Sequence, residues 1–340
     1  MSQPSSRMAE EIQAAPDVVA RQAIALARPI ADLVARLRQR APDVVVTCAR
    51  GSSGHAATFA KHLIERYLGV PVSAAAPSIA SIYGERLRLK DQLFLAVSQS
   101  GRSDDLIAMA HSAKTAGAHT VALVNVIDSP LAAMCDTILP IGAGPEVSVA
   151  ATKTFVATAS ALMRLTAAWS ADQKLTAAVD LLPGRLASAG GLDWGAALEM
   201  LGATSALATI GRGPTLAIAR EAALKLKETC NLHAEAFSGA EFLHGPVALA
   251  SPRHPIFMLM PADAAADGMR QLASDLHRMH APTLITGTDV GNLPVVRADQ
   301  PEADAICLIQ SFYGLTERLA RRLGIDADRP RNLQKVTRTQ

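Results

Sequence analysis

Aromatic residues are scarce in this chain, 4% of its 340 positions, and a net charge of +2 comes with no long basic run. A nucleic-acid surface needs clustered Lys and Arg with aromatic platforms, so that class of partner is excluded. The four cysteines (Cys48, Cys135, Cys230, Cys307) are far apart and form no Cys-x-x-Cys pair. Neither a disulfide framework nor a structural zinc site is expected, and the usage fits a reducing cytosol. His233-Ala-Glu235 echoes half of a zinc-deaminase signature, but no Pro-Cys-x-x-Cys follows it. The N-terminus has no apolar stretch of the signal-peptide kind. No run of about 18 apolar residues suggests a membrane span. A cytoplasmic protein with no membrane contact is therefore expected. Gly-x-x-x-x-Gly-Lys-Ser/Thr is missing too. Gly51-Ser-Ser-Gly54 and Gly211-Arg-Gly213 both fall short of a dinucleotide fingerprint.

Small apolar residues dominate what is present. The hydrophobic fraction is 49% and the charged fraction 19%, enough for an ordinary globular core and too apolar for disorder. The length predicts two domains, or two halves of one. After a helical lead from Met8 to Arg40, Asp43–Cys48 is a short apolar run of the buried, parallel-sheet kind. It passes through Ala49–His55 into a helix from about Ala56 to Leu68. The unit recurs: strands are predicted at 70–75, 92–97, 120–126 and 137–141, with a helix from the Ser98–Asp105 turn to Ala116. Alternating strands and helices argue for a three-layer α/β domain with a mainly parallel sheet. One long helix is predicted from Lys153 to Leu182, ending at Pro183-Gly184.

A second round follows. The strand at 206–210, the Gly211-Arg-Gly213 turn and a helix from about Leu216 mirror the first unit. Strands at 255–260 and 283–286 mirror 93–97 and 121–124. The offset is about 160 residues, as a duplicated domain gives. The boundaries predicted are a lead at 1–40, a first domain at 41–183, a second at 196–326 with a final helix at Ser311–Leu323, and a tail at 327–340.

Three polar stretches stand out. Ser98-Gln99-Ser100-Gly101-Arg102-Ser103 sits where a strand hands over to a helix, and ligands bind at the carboxyl ends of parallel strands. Amide N–H groups at a helix N-terminus suit an anion. A cap needs one hydroxyl, whereas this stretch offers three and an amide, so a phosphate cradle is the better reading. Glu221-Ala-Ala-Leu-Lys-Leu-Lys-Glu228 reads as one helix with Glu221, Lys225 and Glu228 on a single face. Taken alone, that stripe reads as a solvated row of ion pairs. Gly144–Lys153 is a loop of small residues opening a helix, with Thr152 as the plain cap.

Together with His233-Ala-Glu-Ala236, His244-Gly-Pro and Arg331-Asn-Leu-x-Lys335, these stretches resemble the double sugar-isomerase (SIS) domain of glucosamine-6-phosphate synthase. The resemblance runs from about Met8 to Lys335. It does not extend to a glutamine-hydrolysing domain with an N-terminal Cys nucleophile, so the synthase reaction is not expected. Ala151 also stands where the synthase carries Ser. The resemblance implies two tandem three-layer SIS domains. It gives Ser98, Gln99, Ser100 and Ser103 to the phosphate with Ser53 nearby, and Ser52, Val149 and Ala151 to the sugar. Glu228 moves a proton between C1 and C2, with Lys225 beside it. His244 opens the sugar ring, reaching across from a second subunit of a homodimer, and Lys335 closes over the open-chain carbonyl.

Chemistry agrees with these roles. Aldose–ketose interconversion needs a base that takes a proton α to a carbonyl and returns it one carbon over. Ring opening needs a separate acid/base near neutrality, the natural range of His. No metal or redox cofactor is required. The activity expected is hydrolytic deamination of D-glucosamine 6-phosphate to D-fructose 6-phosphate and ammonia. Rivals are the same chemistry on galactosamine 6-phosphate or another phospho-sugar, simple aldose–ketose isomerisation, a glutaminase-less aminotransferase-like isomerase, and a non-enzymatic sugar-phosphate sensor.

Overall fold

The computed structural model describes residues 5–287, 289 and 291–335. In chain order the elements are α1 (Arg7–Gln39), β1 (Val45–Cys48), α2 (Gly51–Leu68), β2 (Val72–Ala74), α3 (Ser78–Ser81), β3 (Leu93–Ser98), α4 (Asp104–Thr115), β4 (His119–Val124), α5 (Pro130–Met134) and β5 (Thr137–Pro140). Then come α6 (Lys153–Ser170), α7 (Gln173–Gly190), α8 (Ala197–Gly202), β6 (Ala206–Gly211), α9 (Pro214–Cys230), β7 (His233–Ser238), α10 (Gly239–Leu243), a 3-10 turn (Pro246–Leu249), β8 (Ile256–Met258), α11 (Ala266–Arg278), β9 (Thr283–Ile285) and α12 (Pro301–Arg322).

The chain forms two compact units, each with its own parallel sheet. One unit takes 17–145 and 153–180 with Gln334 and Lys335, and its sheet runs β2-β1-β3-β4-β5. The other takes the segment ending at Pro16, the loop Glu146–Thr152 and 181–333, with sheet order β7-β6-β8-β9. The loop at 146–152, placed by the sequence in the first domain, is thus part of the β6–β9 unit. Every strand pair is parallel. That is the α/β architecture the alternating pattern predicts. The central strand β3 is buried along all six residues because both of its faces are covered by helices and both of its edges are paired. In the other unit, Ile256 and Met258 of β8 pack with Leu272 and Leu276 of α11.

The structure corrects five local expectations. The predicted helix 153–182 is two helices, because Ala171 takes a left-handed φ of 56° and Asp172 starts α7 by accepting the Leu175 N–H at 2.8 Å. Pro183, expected as the stop, lies inside α7. The final helix begins at Pro301, not Ser311, with the Gln300 side chain accepting from the Glu302 and Ala303 amides at 2.9 and 3.1 Å. The strand β7 was not predicted at all: His-Ala-Glu-Ala-Phe-Ser has weak intrinsic strand preference and forms by pairing along β6. The Gly51-Ser-Ser-Gly turn is already the first turn of α2.

Candidate active site

The expected site residues are divided between the two units. In the β1–β5 unit the strand order reverses direction between β1 and β3, the topological switch point at which open α/β sheets bind ligands. Both strands end there in hydroxyl-rich turns. After β3, the Ser98 hydroxyl accepts the Gly101 N–H at 3.1 Å, and the Ser100 hydroxyl accepts the Arg102 N–H at 3.3 Å. Ser103 stands at the N-cap of α4 in extended conformation, yet its side chain makes no capping bond. The plain capping reading therefore fails for Ser103, whose hydroxyl is left to other partners. Ser98 is buried, while Gln99, Ser100 and Ser103 are half-buried; so are Ser52 and Ser53 in the first turn of α2.

Gly101 holds the turn together. Its φ is +62°, and a Cβ there would lie 2.0 Å from Ser129 Oγ. The Gly101 carbonyl accepts from Leu131 N at 3.1 Å, which ties the turn to α5. Gly101→Ala is expected to destabilise the unit by about 1–3 kcal/mol and to weaken phosphate binding. Chemical denaturation with a parallel phosphate titration checks this, and wild-type values in both would contradict the turn geometry.

In the β6–β9 unit, α9 starts with Pro214 at its first position and stops at Asn231, whose φ is 54° and whose N–H bonds back to Leu226. Gly211 serves packing: a Cβ there would sit 2.2 Å from the Thr215 carbonyl. The polar stripe of α9 is not solvated. Glu221 and Lys225 are 0% and 1% exposed, whereas the Glu228 side chain is 21% exposed. Lys225 Nζ lies 3.4 Å from Glu221 Oε1 and donates a short hydrogen bond to Glu228 Oε2. From α12, the buried Tyr313 hydroxyl donates to Glu221 Oε1 at 3.2 Å. Desolvation works against the Lys225 ammonium, but Glu221 and then Glu228 outweigh it and raise its pKa above 10.5. The charge of Glu146 adds to this. Burial, then Glu221 and Glu146, hold the Tyr313 pKa well above 10.

Glu146 opens the loop that carries Val149 and Ala151, both half-buried. Its Oε1 accepts the Thr152 N–H at 3.0 Å. Thr152, expected as the helix cap, has its hydroxyl buried with no partner among the described residues. The loop is pinned from two more sides. Glu11 accepts from the Val147 and Ser148 amides, and the Asp328 carbonyl accepts from Val149 N at 3.1 Å. Asp328 also takes the Arg7 and Met8 amides at 3.0 and 2.8 Å, so it ties the start of α1 to the loop. His244 is exposed at the C-cap of α10, between exposed Leu243 and Gly245. Lys335, half-buried, is the last described residue.

Sequence reasoning thus placed Lys225 and Glu228 side by side, and missed Tyr313, Glu11 and Asp328. Tyr313 sits in an apolar helical run with no local motif, so only the packing of α12 on α9 reveals it. The arrangement offers one carboxylate, Glu228, that is partly open to solvent and paired with a buried ammonium.

Comparison with known proteins follows the same lines. A family model for the SIS domain matches residues 40–168 and 202–311. Glutamine–fructose-6-phosphate aminotransferase (isomerizing) of Mycolicibacterium smegmatis is 33% identical over 329 residues, covering 86% of this chain and 50% of that protein. The chain spans about half the length of the curated relatives it matches. A solved structure of a candidate phosphosugar isomerase from Silicibacter pomeroyi is 44% identical, with a TM-score of 0.91 over 95% of this chain and 100% of that one. The glucosamine-6-phosphate deaminase of Thermotoga maritima shares the fold, with a TM-score of 0.77 at 20% identity over 98% of this chain and 100% of that one. Among the described residues, no helix is long and apolar enough to cross a membrane.

Proposed function

The chain belongs to the SIS domain family, and from that premise we propose that it is an amino-sugar-phosphate deaminase converting D-glucosamine 6-phosphate and water to D-fructose 6-phosphate and ammonia. The observation that carries this reading is the buried Glu221–Lys225–Glu228 row, in which Glu228 alone keeps solvent access. A sensor would have no use for a partly exposed carboxylate seated on a buried ammonium.

Ser98, Gln99, Ser100, Ser103 and Ser53 hold the phosphate, while Ser52, Val149 and Ala151 line the sugar. His244 opens the ring. Glu228 takes the proton from C2 of the open-chain amino aldose and returns it to C1, while a proton passes from the C2 amino group to O1, which leaves a hydroxyl at C1 and an imine at C2. Water adds to that imine, and the C2–N bond breaks with release of ammonia. Lys225 fixes Glu228 in place, and Lys335 closes over the open-chain carbonyl. Ala151, where the synthase carries Ser, removes a hydroxyl from the sugar lining; this favours keeping galactosamine 6-phosphate as a second substrate to test.

Incubation of the purified chain with millimolar glucosamine 6-phosphate is expected to release ammonia and fructose 6-phosphate in equal amounts. No ammonia would refute the deaminase. Galactosamine 6-phosphate and glucose 6-phosphate in the same assay separate the other sugar and plain isomerisation. His244, exposed beside Leu243, is proposed to serve the site of a second copy of the chain. Mixing inactive His244→Ala with inactive Glu228→Gln protein should then restore part of the activity, and mixtures as inactive as their components would exclude a shared site.

A further inference from the structure

We infer that Arg50 is a direct ligand of the substrate's phosphate, sharing the anion with the Ser98–Ser103 turn. The inference rests on the reading that this turn holds a phosphate, and it adds a cation that the motif resemblance does not include. The sheet register supplies the first argument. Cys48 of β1 pairs with Ala96 of β3, so two residues further along each chain come Arg50 and Ser98. The two turns leave the sheet side by side at the switch point.

Hydrogen bonding supplies the second. Arg50 is extended (φ −131°, ψ 158°) just before α2 and makes no side-chain cap. Its Nε and Nη2 both donate to one oxygen, Asp105 Oδ2, at 3.0 and 2.7 Å. The other oxygen of Asp105 accepts the Leu106 N–H at 2.8 Å. The Asp105 side chain is 2% exposed, so the guanidinium is anchored on a fixed, buried base. A guanidinium has five N–H donors in a planar fork, and this anchorage uses two of them. The Arg50 side chain remains 55% exposed, with Nη1 not engaged by Asp105.

Electrostatics supply the third. Asp104 and Asp105 both lie in the first turn of α4, next to the proposed phosphate. They suit the helix dipole but oppose a dianion. Asp105 also helps to raise the pKa of Cys48 to about 12, after burial as the main cause, while Arg50 lowers it. A cradle of hydroxyls and amides beside two carboxylates needs a positive charge, and Arg50 is the cation held in place between the two turns.

The test uses the full chain and inorganic phosphate, measured by calorimetry and as a competitive inhibitor. Arg50→Gln is expected to weaken phosphate about 10- to 100-fold, the range of one charge-assisted contact, with the loss of activity appearing in KM more than in kcat. A purely structural role, in which Arg50 only neutralises Asp105, is separated by the double variant Arg50→Gln/Asp105→Asn. If Arg50 binds the phosphate, the double variant binds it more weakly than Asp105→Asn alone, a comparison that cancels the relief of Asp105's repulsion. Equal affinity in those two variants overturns the inference, as does unchanged affinity in Arg50→Gln. The double variant also removes the buried unpaired carboxylate, so it covers the case in which Arg50→Gln does not fold. Phosphate binding needs no turnover. A wild-type chain that binds phosphate through Arg50 but releases no ammonia sinks the proposed reaction and leaves this inference standing.

Discussion

Glu228→Gln is expected to lower ammonia release from glucosamine 6-phosphate by about 10²- to 10⁴-fold, the usual contribution of a positioned acid–base group. The amide keeps the shape of the carboxylate and can still accept from Lys225, so the site keeps its form and loses its base. Lys225 stays neutralised by Glu221, 3.4 Å away. In the proposed reaction, Glu221 keeps the buried Lys225 paired when Glu228 turns to the substrate. Phosphosugar binding, followed by calorimetry, should therefore persist in the variant. Wild-type turnover by Glu228→Gln would remove Glu228 from the mechanism. A wild-type chain that binds the phosphosugar but never turns it over would point to the sensor reading.

The largest effect on stability is expected at Lys225. Lys225→Met leaves Glu221 buried without its ammonium, and losing one partner of a buried pair costs about 3–5 kcal/mol. Chemical denaturation measures this. Removing Glu221 as well, in Lys225→Met/Glu221→Leu, should cost less than the sum of the two single variants because they share one interaction. Additive effects would show that the two groups do not interact.

The same cluster sets an alkaline limit. Lys225 is raised above 10.5 by its two carboxylates, against desolvation, and Tyr313 is raised well above 10 chiefly by burial. Both groups keep in the folded chain a proton that the unfolded chain gives up sooner. Their contribution is complete below the unfolded values and is lost as pH rises through them toward the raised folded values. Stability should thus fall from about pH 10 upward, and Tyr313→Phe should flatten part of that fall. An unchanged alkaline limb in Tyr313→Phe would show that the hydroxyl is not held protonated by this site.

Much of the fold was legible because it is written locally. Buried parallel strands read as apolar runs, and the repeat at about 160 residues announces the duplication. Where local signals conflict, the sequence misled. Asp172 caps a new helix eleven residues before the Pro183 that looked like a stop, and β7 forms by pairing along the edge of β6.

By itself the sequence determined the α/β class, the hydroxyl-rich turn after β3 and the helical spacing that puts Glu221, Lys225 and Glu228 on one face. These depend on neighbours a few residues away. It could not determine which way that face points. A stripe of two acids and a lysine has the same periodicity in water as in a core, and only the packing of α12, with Tyr313 donating to Glu221, turns it inward. Nor could it join Arg50 to Asp105, 55 residues apart, because that contact follows from β1 and β3 lying next to each other in the sheet. Burial and long-range pairing are properties of the folded chain, and here they decide which of the charged residues lie in the interior and which stay open to solvent.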